Sequence, residues 1–159
     1  MSNQINNLIE KLNEQSAGFQ TMLEISKGQL NEVRRGDFPN HLDGFNKLLV
    51  NRQQLMTQME EKEEEIKKIE ALITKEYSID YFQLSSLKDK MEPGQFERVS
   101  TSFNELGSIL LEITKVDDEI ESEARKRLTA AQKPKKINSS HAAAKAYKEA
   151  SAKGKDLQD

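Results

Sequence analysis

"FPNHLDGFNKLLVNRQQLMTQMEEKEEEIKKIEALITK", residues 38–75, is the stretch whose reading decides the fold. Phe38, Phe45, Met59, Ile66 and Ile73 recur at multiples of seven, and Arg52 is the one polar residue in that row. His41, Leu48, Leu55, Lys62 and Ile69 stand three positions further on, with Leu42, Leu49 and Met56 alongside. Such a pattern lines one face of a helix, and the stripe persists long enough to predict a single helix over about 38–75. The charge-dense "EEKEEEIKK" at 60–68 has Glu-to-Lys spacings of three and four (Glu63 with Lys67, Glu64 with Lys68), which mark a solvated helix face, not a ligand site.

Outward from this segment the same periodicity returns twice. Upstream, Ile5, Leu8, Leu12, Phe19, Met22 and Val33, with Ile9, Leu23 and Leu30 beside them, predict an amphipathic helix over 3–35, weakened at Gly18 and Gly28. Between the two, "RRGDFPNH" reads as a helical-hairpin turn. Gly36 suits a left-handed position after the first helix, Asp37 a cap, and Pro39 a first helical turn. Downstream, "EYSIDYFQLSSLKDKMEPG" predicts a connector holding a one- or two-turn helix and closed by Pro93-Gly94. From Gln95 the row Phe96, Val99, Phe103, Leu106, Leu110, Ile113, Asp117, Ile120, Ala124 predicts a third long helix ending near Ala131.

The expected fold is therefore all-α: an antiparallel bundle of three long helices with a short connector helix, over residues 1–131, followed by a flexible basic tail, 132–159. The tail is small and polar apart from Ile137, the alanines of 142–146, Tyr147 and Leu157, and it cannot bury enough apolar surface to offset its ordering entropy. Ser140 is placed to cap a short helix over 141–152.

Arg52 raises its own question, since it is the least buriable side chain on the most buriable face. In an antiparallel arrangement of the second and third long helices, pairing Ile73 with Phe96 sets Arg52 opposite Asp117, the polar interruption of the other stripe. Two such groups can form a structural ion pair with two parallel hydrogen bonds, whose value is register more than stability. The alternative is an Arg52 that snorkels its head to water.

Composition narrows the function. The chain has 159 residues, 32% charged and 6% aromatic, with no Cys, so neither a disulfide nor a thiolate metal site exists. The N-terminus has no basic and apolar leader pattern and no stretch approaches a membrane span, so a cytoplasmic protein without membrane insertion is expected. The tail carries seven Lys against three acids, a charge of +4; the rest, with 17 basic and 24 acidic residues, is −7. An acidic body argues against nucleic acid. His41 and His141 stand apart with no metal-ligand spacing, no Gly-rich phosphate loop occurs, and no base accompanies the hydroxyl nucleophiles. No enzyme, cofactor or metal is expected. Arg35-Gly36-Asp37 reads as turn chemistry, not as an adhesion ligand.

Gly36-Asp37-Phe38 after a first helix, "NRQQLMTQM" in a second, "LLEITKVDDEIESEARKRL" in a third, and Lys145-Ala146-Tyr147 near the end together resemble the flagellar export chaperones of the FliT and FlgN types. The resemblance spans roughly residues 19–150; the connector at 77–94 is longer, and the first helix begins earlier, than that pattern needs. It implies a chaperone that binds the C-terminal segment of a late flagellar subunit, a filament-cap or hook-associated protein, and delivers it to the type III export gate. Wide apolar faces on the first two helices leave room for a helix from a client, and Leu23, Leu30, Leu42, Leu49 and Met56 are the candidate contacts. Tyr147 is the candidate contact with the export gate. The chain is expected to be a monomer or weak homodimer. Two other readings share the pattern: a self-associating coiled-coil scaffold, and a secreted helical-hairpin effector.

Overall fold

A computed structural model describes residues 3–131, which fold into four helices: α1 (Asn3–Arg34), α2 (Asp43–Glu76), α3 (Leu84–Leu87) and α4 (Pro93–Ala131). Among the described residues all regular structure is helical, and no helix is long and apolar enough to cross a membrane. The expected tail, with its cap at Ser140 and helix over 141–152, lies outside the described residues. The long helices pack together in two compact units, and each contributes a segment to both. The first unit takes the part of α1 up to Thr21 together with Met56–Leu111; the second takes Met22–Leu55 and the part of α4 from Glu112 onward.

In the first unit Ile5, Leu8 and Leu12 of α1, Ile66 and Ile73 of α2, Leu87 of α3, Met91, and Val99 of α4 form one buried cluster. Leu87 explains the connector: α3 is only four residues long, but it sets one fully buried leucine into the cluster while Phe82 lies 6.0 Å, ring to ring, from Phe103. Small residues set the spacing. A side chain at Gly18 would collide with Met59, so glycine there lets the buried thioether of α2 lie against the backbone of α1. A charged network then joins the same helices at the surface. Lys11 reaches Glu65 at 3.0 Å and Glu14 at 3.3 Å, and Lys62 reaches Glu14 at 3.5 Å. The hydrogen bonds that Lys11 donates to Glu65 and Glu14 hold its ammonium pKa above the ordinary value, and the bond it donates to Glu14 lowers that carboxyl's.

The heptad row of α2 is buried at Phe45, Met59, Ile66 and Ile73. Helix boundaries depart from the sequence expectation at three places. α2 begins at Asp43, not at 38, because residues 35–41 close turns of their own: Phe38 N–H donates to the Arg35 carbonyl, and the Asn40 and His41 N–H groups both donate to that of Asp37. Phe38 is buried all the same, from the turn, with its ring 6.1 Å from Phe45. His41 is exposed there and belongs to no stripe. Pro93-Gly94 opens α4 where the sequence suggested a connector's end. Proline fits the first helical position, having no N–H to leave unpaired, and the Glu92 carbonyl accepts the Phe96 N–H.

The third departure concerns the left-handed residue. No described glycine has positive φ, Gly36 included; Ser78, after α2, does, at φ 55°. It sits in a Schellman motif: Ile79 N–H donates to the Thr74 carbonyl at 3.1 Å and Ser78 N–H to that of Lys75 at 3.3 Å. A Cβ is disfavoured in that conformation. Ser78→Gly is therefore expected to raise the unfolding free energy by about 0.5–1 kcal/mol, read from the urea midpoint, and an unchanged or lower midpoint would remove the argument.

Candidate functional site

The second unit carries the features that bear on function. α1 contributes Met22, Leu23, Leu30 and Val33 to its interior, and α4 contributes Ile113, Val116, Ile120 and Ala124. α2 contributes Phe45 and then, as far as Leu55, nothing fully buried: Leu48, Leu49 and Leu55 are half-buried and Val50 is 50% exposed. In place of a buried leucine, Arg52 stands in the row.

Arg52 Nη1 donates to Asp117 Oδ1 at 2.8 Å and Nη2 to Oδ2 at 2.6 Å, the two-pronged arrangement that suits a planar guanidinium and a carboxylate. Arg52 Nη1 also donates to Gln29 Oε1 on α1 at 3.1 Å. One guanidinium thus ties all three long helices. The pair is neither dry nor wet, with side chains 17% exposed at Arg52 and 31% at Asp117. Gln29 itself is buried, and it is the member that the sequence reading passed over. A signal existed: Gln29 lies on the Met22, Ser26, Val33 face of α1, where an amide is as out of place as Arg52 is on α2.

A second contact that the sequence did not disclose closes the end of α1. Arg127 of α4 donates to the backbone carbonyls of Arg34 at 3.0 Å and Arg35 at 3.2 Å, satisfying acceptors that a helix leaves unpaired at its C-terminus. Arg34 in turn reaches Glu119 at 3.3 Å. Within the triplet Arg35-Gly36-Asp37, the two charged side chains turn toward each other, Nε to Oδ1 at 3.5 Å.

The five candidate client contacts are not one surface. Leu23 and Leu30 are buried, 5% and 6% exposed, so their expected availability is corrected: both belong to the interior of the unit. Leu42 and Leu49 are half-buried. Leu42 precedes α2, and its carbonyl accepts the Asn46 N–H. Met56, also half-buried, belongs to the first unit. Tyr147 lies outside the described residues.

Among the described residues no group of His, Asp or Glu is placed to hold a metal ion. One carboxyl in the first unit is perturbed: burial pushes Glu70 above the ordinary glutamate value, with Lys67 opposing and Glu63 reinforcing the shift. A carboxyl raised on folding binds more protons in the folded state, so stability falls as pH rises from the ordinary glutamate value through the raised one. Glu70→Gln is expected to stabilise the protein above that window, by less than about 1 kcal/mol for a half-covered group, and to have no effect below it. Urea titrations at about pH 3 and pH 7.5 measure the difference, and equal effects at both would exclude burial as the cause.

Comparison with protein-family models, curated proteins and solved structures found no match to the chain.

Proposed function

We propose that this chain is a cytoplasmic export chaperone of the flagellar type III system: an antiparallel bundle of three long helices that binds a helical segment of a late flagellar subunit, keeps it from assembling early, and presents it to the export gate. The reading rests on the sequence resemblance and on one observation in the second unit. α2 runs from Asn46 to Leu55 without a fully buried side chain, leaving half-buried Leu49 and half-exposed Val50 for an added helix to cover. Leu42, immediately before α2, and Leu49, within it, both half-buried, are the contacts assigned to the client. The role needs shape and apolar surface and no chemistry.

The test is a pull-down with the full chain from flagellated cells of its host. A filament-cap or hook-associated protein should co-purify, identified by mass spectrometry. Leu49→Asp should cut its recovery at least tenfold while the helical circular dichroism and melting profile stay close to those of the parent. Recovery of no late flagellar subunit, or equal recovery by the variant, would end the reading.

A further inference from the structure

Arg34, Arg35 and Gly36 stand where α1 ends in the second unit, and all three are exposed. Two arginines followed by glycine are what a trypsin-like protease takes: a guanidinium for its acidic pocket, then a residue without a side chain beyond the scissile bond. The other basic runs among the described residues, Lys67-Lys68 and Arg125-Lys126-Arg127, lie within helices, whose backbone is not extended as a protease cleft requires. Around Gly36 there is open space, with no atom within 4 Å of where a side chain would begin. Exposed turns with small residues are the usual places where a folded chain is nicked.

The same bonds are guarded. Arg127 Nη1 donates to the Arg35 carbonyl at 3.2 Å and Nη2 to the Arg34 carbonyl at 3.0 Å. The Arg35 carbonyl also accepts the Phe38 N–H, at 3.2 Å, so both of its lone pairs are engaged. A serine protease must turn the scissile carbonyl toward its own backbone donors before its hydroxyl attacks the carbon, and here the guanidinium from α4 holds that oxygen. We propose that Arg34-Arg35-Gly36 is a masked proteolytic site for an arginine-specific protease, and that Arg127 is its latch. Cleavage after Arg35 consumes one water: the C–N bond to Gly36 breaks, Arg35 gains a carboxylate and Gly36 an ammonium. α1 is then severed from α2, and the new carboxylate is left where Arg127 already donates. The side-chain pairs at the turn, Arg35 with Glu32 and Asp37 at 3.5 Å and Arg34 with Glu119 at 3.3 Å, are exposed and hold it only weakly.

Limited digestion of the full chain with an arginine-specific endoprotease, well below its melting temperature, tests the latch. Cutting of a folded chain follows the population in which the turn is open. Arg127→Gln should raise the initial rate of cleavage after Arg34 or Arg35 about tenfold, read by mass spectrometry, a factor that corresponds to roughly 1.4 kcal/mol of opening free energy. Cleavage after Arg52 and Arg98, inside α2 and α4, is the internal control: it needs the helices themselves to unfold and should not accelerate. A parent chain cut at the turn as fast as the variant would overturn the proposal. So would an acceleration shared by Arg52 and Arg98, which would make Arg127 a general stabiliser and not a latch. No client enters the measurement, so its outcome is independent of the chaperone reading.

Discussion

Asp117→Leu is expected to lower the unfolding free energy by about 2 kcal/mol, whereas Arg52→Leu combined with Asp117→Leu leaves it within about 1 kcal/mol of the parent. The reason is asymmetric desolvation. Arg52 is the more deeply placed partner, 17% exposed, and without Asp117 its guanidinium keeps only the Gln29 side-chain oxygen as a described acceptor. The cost is smaller than for a fully dry pair because water reaches both groups. Arg52→Leu alone should cost less than Asp117→Leu, since the carboxylate it leaves behind is nearly twice as exposed. Urea titration of the three variants gives the coupling directly. A single Asp117→Leu variant as stable as the parent would show that the pair fixes nothing. Near-parent stability of the double variant would in turn assign the pair to register: it penalises every sliding of α2 against α4 that leaves a charge facing leucine.

The largest single loss is expected in the first unit, at Ile73→Ala, about 3 kcal/mol. Ile73 is fully buried where segments of α1, α2, α3 and α4 meet, in one cluster with Ile5, Leu8, Leu87 and Val99. The lost methyl and methylene groups forfeit transfer free energy, and four converging backbones cannot collapse into the space they leave. Leu72, its neighbour in sequence, is 49% exposed, and Leu72→Ala should cost no more than about 0.5 kcal/mol. Similar midpoints for the two variants would mean that this cluster is not the core of the unit.

Much of this was legible before any coordinates. A seven-residue row can satisfy itself only as one face of a helix, so Phe45, Met59, Ile66 and Ile73 announced both the helix and its buried side. Arg52 and Asp117 were conspicuous as two polar interruptions that one register sets opposite each other, and the structure brings them together. The ends of the helices were less readable. Gly36, Asp37 and Pro39 are compatible with several turns, and what distinguishes them is where the Phe38 ring is buried, a fact about Phe45 and not about the turn. α4 shows a different failure. The periodicity puts the row through Phe103 inward, yet Ser102 is the residue 5% exposed, bonded through Oγ to Asn13 Oδ1 at 3.0 Å, while Phe103 stands partly covered beside Phe82. Hydrophobicity marks a stripe to within one residue; the side chain that fits closest to a neighbouring helix is chosen by size.

By itself, then, the order of residues determined the helical class, the three long segments, the row that goes inside, and the two ionic residues that had to find each other, because periodicity and the cost of a solitary buried charge are local and pairwise properties. Only tertiary structure decided which apolar flanks are spent. Leu23 and Leu30 look as available as Leu42 and Leu49 in the sequence, but the first two are buried and the last two only half-buried. Exposure is a property of neighbours, and a helix carries no record of how many it will have.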